Sequence, residues 1–75
     1  MDIKVTVDAR GLSCPMPIVK TKKAMNGLQS GEVLELLATD KGSANDTRAW
    51  VQSGGHTLLD FREEDGVFKF YIAKA

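Results

Sequence analysis

A single cysteine, Cys14, stands in the run Asp8-Ala9-Arg10-Gly11-Leu12-Ser13-Cys14-Pro15-Met16-Pro17, between a strand-like segment and a helix-like one. The chemistry available to it is nucleophilic, with the thiolate as the reacting form. Pro15 has no N–H and a preset φ, so it suits the first position of a helix, and Pro17 fits the same first turn. Cys14 then falls at the cap, where the positive end of the helix dipole and any free amides favour thiolate over thiol. This placement predicts an apparent pKa below the free-thiol value of about 8.5. An unpaired cysteine also serves widely as a small buried apolar filler. The glycine-containing loop before it and the proline-fixed turn after it are features of a surface turn, and on position alone both readings stand.

Around Cys14 a few other side chains are candidates. Arg10 lies four residues earlier and could screen a thiolate, or simply be solvated. Lys20, Lys22 and Lys23 form either a docking face for an acidic partner or an ordinary solvated helix face. Asp8 and Asp46 sit at element ends, where a carboxylate bonds free backbone amides, so both are expected to be structural. His56 titrates near neutrality and could serve as a base for Cys14. Nothing in the sequence fixes it near the mouth of the first helix, so it is expected to be a packed or surface histidine. A cysteine-hydrolase reading needs that contact and an oxyanion pocket, for which 75 residues leave little room. With one His and one Cys, a structural zinc site would need ligands from another chain, so no metal or other cofactor is expected. One cysteine also means no internal disulfide and no resolving thiol.

The elements that must position these residues follow from periodicity. Ile3, Val5 and Val7 alternate with polar residues as in a half-buried strand ending near Asp8, and Ala9 to Ser13 is a loop. From Pro15, the spacing of Ile18, Thr21, Met25 and Leu28 is helical and predicts a helix to about Leu28. Glu32 to Ala38 is nearly continuous apolar sequence, which predicts a central strand with most of both faces covered. After the loop Thr39-Asp40-Lys41-Gly42, Ser43 and Asp46 are spaced as a capping box opening a second helix to about Ser53, with Thr47, Trp50 and Val51 inward and Gly54-Gly55 as a left-handed stop. His56–Glu63 and Val67–Ala73 flank Asp65-Gly66, a strong hairpin signal, with Phe68, Phe70 and Ile72 on one face and Leu59 and Phe61 on the facing run. The order β-α-β-α-β-β predicts an α+β two-layer sandwich, a four-stranded mixed sheet carrying both helices on one face.

Composition bounds the rest. A chain of 75 residues is expected to form one domain spanning residues 1–75, burying only about 60% of its unfolded surface. Ten acidic residues balance ten basic ones, which removes the long-range positive field of a nucleic-acid binder and disfavours direct nucleic-acid contact. The apolar runs are too short for a membrane span, and no basic start leads into an apolar segment, so a cytoplasmic protein with no membrane contact is expected. Small size and a neutral surface predict a monomer with weak, transient contacts.

The chain resembles the TusA/SirA-like sulfur-carrier family along essentially its whole length. The resemblance is carried by Asp8-x-Arg10-Gly11-Leu12-x-Cys14-Pro15-x-Pro17, Gly31-Glu32, Thr39-Asp40 with Ser43 to Asp46, and Gly55-His56. It implies that Cys14 accepts sulfane sulfur, holds it as a persulfide and passes it to the next thiol of a relay. It further implies a cysteine desulfurase or rhodanese-like donor and a DsrE-like or TusD-like acceptor. A carrier of this kind gains from lacking a second cysteine that could discharge the persulfide. Met16 stands between the prolines where transfer-RNA thiolation members often carry Glu, which removes a negative charge beside the sulfur and implies a different partner. The alternative is a regulatory or protein-interaction module using the same fold without the chemistry.

Overall fold

The computed structural model describes residues 2–75. The elements are β1 (Ile3–Ala9), α1 (Met16–Met25), β2 (Val33–Ala38), α2 (Lys41–Ser53), β3 (Thr57–Glu64) and β4 (Val67–Ala73). They make one four-stranded sheet in the order β1-β2-β4-β3, with β1 parallel to β2 and the other pairs antiparallel. The expected order and mixed sheet are what the chain adopts.

One face of the sheet carries the core. Val7 pairs with Leu36 and Leu36 with Phe70, while Ala9 pairs with Ala38 and Ala38 with Phe68, so side chains of one pleat phase line up across the strands. Leu34, Leu36, Phe70 and Ile72 have no exposed surface. The helices close over this face and touch each other. Thr21 and Thr47 are fully buried there, and each donates its hydroxyl to the carbonyl four residues back, Pro17 and Ser43, at 2.7 Å. That internal bond lets a threonine sit in an apolar face.

The opposite face departs from the expectation for β2. Glu35 and Leu37 are only half-buried, and Glu35 accepts hydrogen bonds from Thr6 on β1 at 2.9 Å and from Tyr71 on β4 at 2.8 Å. A single layer of helices leaves this side of an inner strand to polar groups. The hairpin departs as well. A register shift between Leu58 and Asp60 puts Leu58 and Phe61 against the core and leaves Leu59 exposed. Strict alternation predicted the reverse for Leu59, and one bulged residue inverts the pattern.

Local signals set the element ends. Asp65 and Gly66 both have positive φ, 52° and 79°, the pairing that a tight two-residue hairpin turn requires. At the end of α2 the His56 amide donates to Val51 O and the Gly55 amide to Gln52 O, a Schellman closure with Gly55 at φ 75°. Helix α1 stops at Met25, one turn before Leu28, which packs into the core from the turn that follows. The start of α2 is three residues earlier than the spacing of Ser43 and Asp46 predicts. Asp40 is the N-cap, accepting from the Ser43 amide, so Ser43 lies inside the first turn.

Candidate functional site

Parallel pairing of β1 and β2, ending at Ala9 opposite Ala38, brings the loops after both strands to the same edge of the sheet. Two contacts stitch them together. The Gly11 amide donates to Thr39 Oγ1 at 2.9 Å, and the Cys14 amide donates to Asp40 Oδ2 at 3.3 Å. Asp40 Oδ2 also accepts from the Ser43 amide and hydroxyl, both at 3.0 Å. One carboxylate therefore caps α2 and anchors the loop of Cys14.

Cys14 is exposed, which separates the two readings its position left open: it is not a buried filler. Its Sγ donates to Asp46 Oδ2 at 3.2 Å. The thiol's pKa is raised, chiefly by this hydrogen bond, then by partial desolvation and by the charges of Asp46 and Asp40, with a smaller opposing effect of the Ser43 hydroxyl. The expectation of a depressed pKa is therefore wrong in sign. Pro15, not Cys14, occupies the N-cap of α1, no side chain caps that helix, and the Met16 amide is taken by Ser13 O at 3.0 Å. Pro17 has no amide to offer. The Cys14 and Met16 amides are both taken, while two carboxylates from the neighbouring loop and helix oppose the thiolate.

Helix α1 starts one residue later than the sequence spacing implied, so Pro15 is its N-cap and the buried Pro17 its second residue. Arg10 is committed to Asp8. Its Nε and Nη2 each donate to Asp8 at 2.9 Å, and its amide donates to the same carboxylate. These bonds to Arg10 hold Asp8 down at about 2. Lys20, Lys22 and Lys23 are exposed. Lys20 and Lys23 line a shallow groove of about 540 Å³ beside edge strand β1, with Val5, Thr6, Val7 and Asp8. Met16 and Val19, one turn apart on α1, are 45% and 49% exposed, so an apolar strip starts two residues from the sulfur. His56 is engaged elsewhere: its Nδ1 accepts from the Ala75 amide at 2.9 Å and its ring tilts against Trp50 at 5.1 Å.

Asp40 and Asp46 are what sequence reasoning missed at this site. Asp46 was expected to close a capping box, and Asp40 was placed in the connecting loop with no role toward Cys14. The usable signal was the parallel β1–β2 pair, which forces the two loops together. Among the described residues no group of three or more His, Cys, Asp or Glu side chains could hold a metal, and no helix is long and apolar enough to cross a membrane.

A β-α-β-α-β-β sheet with a lone exposed thiol at the loop edge defines a small single-cysteine α+β protein, and comparison with known proteins narrows it. The family model described as sulfurtransferase TusA matches residues 5–74. A putative sulfur carrier protein of Bacillus subtilis, YrkI, is 60% identical over 68 residues, covering 91% of each chain. The sulfur carrier protein TusA of Allochromatium vinosum is 43% identical over 74 residues, covering 99% of this chain and 97% of its own. The crystal structure of a SirA-like protein from Desulfitobacterium hafniense superposes with a TM-score of 0.83 at 30% identity, over 92% of this chain and 95% of that one. The chain belongs to the TusA family.

Proposed function

We propose that this chain is a sulfur carrier: Cys14 accepts sulfane sulfur from a donor protein, holds it as a persulfide and passes it to an acceptor thiol. The exposed Sγ of Cys14 on a loop held from the adjacent strand end carries this reading, together with relatives named as sulfur carriers. In loading, the Cys14 thiol loses its proton and the thiolate attacks the outer sulfur of the donor's persulfide. The donor S–S bond breaks, its electron pair leaves on the donor cysteine, and that sulfur takes up a proton. Sulfur oxidation states are exchanged between partners with no outside oxidant. Discharge is the same step with Cys14 as the leaving group.

A cysteine desulfurase or a rhodanese-like protein fits the donor, and a DsrE-like or TusD-like protein, or another thiol protein, fits the acceptor. Pro15 and Pro17 fix the turn that presents the sulfur. Met16 and Val19, flanked by Lys20 and Lys23, offer partners an apolar strip with a basic margin. Lys22 and Arg10 remain candidate partner contacts at its edges. A thiol that must stay reduced between transfers suits the cytoplasm.

The test is intact mass after incubation with a cysteine desulfurase and free cysteine. The wild-type chain should gain one reducible sulfur atom, and Cys14→Ser should gain none. A wild-type chain that stays at its starting mass, or a Cys14→Ser chain that gains the same sulfur, overturns the reading.

A further inference from the structure

We propose that Asp46 is a charge gate on Cys14: while its carboxylate faces the sulfur the empty carrier keeps a neutral thiol, and a partner presenting positive charge to Asp46 releases the thiolate. The use of the gate rests on the sulfur-carrier reading above, but its existence does not. Asp46 Oδ2 is 3.2 Å from Sγ and can only accept there, so the contact exists while the sulfur keeps its proton. Removing that proton would set two negative charges in contact.

The two carboxylates that act on the sulfur push the same way. From α2 there is Asp46, and from its cap Asp40, whose Oδ2 holds the Cys14 amide; the Ser43 hydroxyl opposes them. From the β1–α1 loop, Arg10 is committed to Asp8, and from α1 the charge of Lys20 acts on Asp8 as well. Among the described residues the four ion pairs join Lys4 to Glu32, Arg10 to Asp8, Arg62 to Asp60 and Lys69 to Glu64; neither Asp46 nor Asp40 has a cation of its own. Arg48, also on α2, lies over the Phe61 ring, so the gate draws the cation that relieves the sulfur from another molecule. A partner that docks a Lys or Arg on Asp46 turns on the nucleophile by docking, whereas small anionic sulfur compounds are held off.

Two thiosulfonate reagents of opposite charge test the gate without any donor protein. The Cys14 thiolate attacks the sulfenyl sulfur of the reagent, a disulfide forms, and methanesulfinate leaves with the electron pair. The trimethylammonium-ethyl reagent should outpace the sulfonato-ethyl reagent by severalfold more than it does on free cysteine. Asp46→Asn should collapse that excess and speed alkylation by neutral iodoacetamide at pH 7 severalfold, and Asp46→Glu should keep the excess. Raising salt should shrink it in the wild-type chain. An Asp46→Asn ratio and iodoacetamide rate equal to wild type overturn the gate. Should Asp46→Asn fail to fold, a wild-type ratio that matches free cysteine at low salt overturns it. Failure of the carrier reading is seen separately, as a wild-type chain that takes no sulfur from the desulfurase while these charge ratios are unchanged.

Discussion

Asp40 Oδ2 accepts the Cys14 amide and, at the same time, the amide and hydroxyl of Ser43. One oxygen thus joins the loop that bears the sulfur to the first turn of α2. The same bonds, Ser43's first and Cys14's less, pull the Asp40 pKa down. Replacing Asp40 by Ala removes the cap and the anchor together. The expected outcome is a lower Tm and faster amide exchange at both Ser43 and Cys14. Retention of both protection factors would contradict the shared anchor.

Arg10 and Asp8 form a two-pronged pair at the end of β1, both side chains 54% exposed. Arg10→Ala should therefore leave the alkylation profile of Cys14 against pH unchanged. A profile displaced to higher pH would mean that Arg10 does support the thiolate.

The same pair makes an acid-side prediction with a definite sign. Asp8 is lowered from 3.8 to about 2, so its contribution to stability is complete above 3.8 and is lost as pH falls from there through about 2. Exposure and salt keep the effect small. In Tm against pH at low salt, Asp8→Asn should lie below wild type at pH 6 and converge with it near pH 2. Curves that remain parallel would contradict the linkage.

Phe70 lies at the centre of the sheet with no exposed surface, paired to Leu36 on one side and Phe61 on the other. Its ring tilts against that of Phe61 at 4.9 Å. Phe70→Ala should cost about 3–5 kcal/mol, a large share of the stability of a domain this small, measured as a loss in denaturant midpoint. A loss below about 1 kcal/mol would mean that the site collapses around the smaller side chain.

Much of the fold was legible because local signals agree with the tertiary solution. Val7, Phe68, Phe70 and Ile72 were placed by alternation, Leu36 by the continuous apolar run of β2, and Asp65-Gly66 and Gly54-Gly55 by the backbone angles they permit. The misplacements have physical causes. Leu59 was misassigned because a bulge adds a residue that no period-two pattern records. Ser43 was taken for the cap because Ser and Asp are both good caps, and the competition is decided by which oxygen reaches the free amides. At the site, Cys14 was visible as a residue, while its exposure was left open between a surface turn and a buried filler. Its charge environment was not visible, because Asp40 and Asp46 lie 26 and 32 residues away and meet it only through the parallel strand pair.

Gly11 and Cys14 are held by side-chain oxygens of Thr39 and Asp40 and not by the sheet ladder. Apart from Asp40, which also caps α2, the side chains that hold the sulfur's loop are not those that build the core. Three positions, Thr39, Asp40 and Asp46, contact the loop and its sulfur, and none of them belongs to the apolar interior. A lineage could retune its carrier for a new client by altering that trio while the hairpin and its aromatic packing stayed untouched.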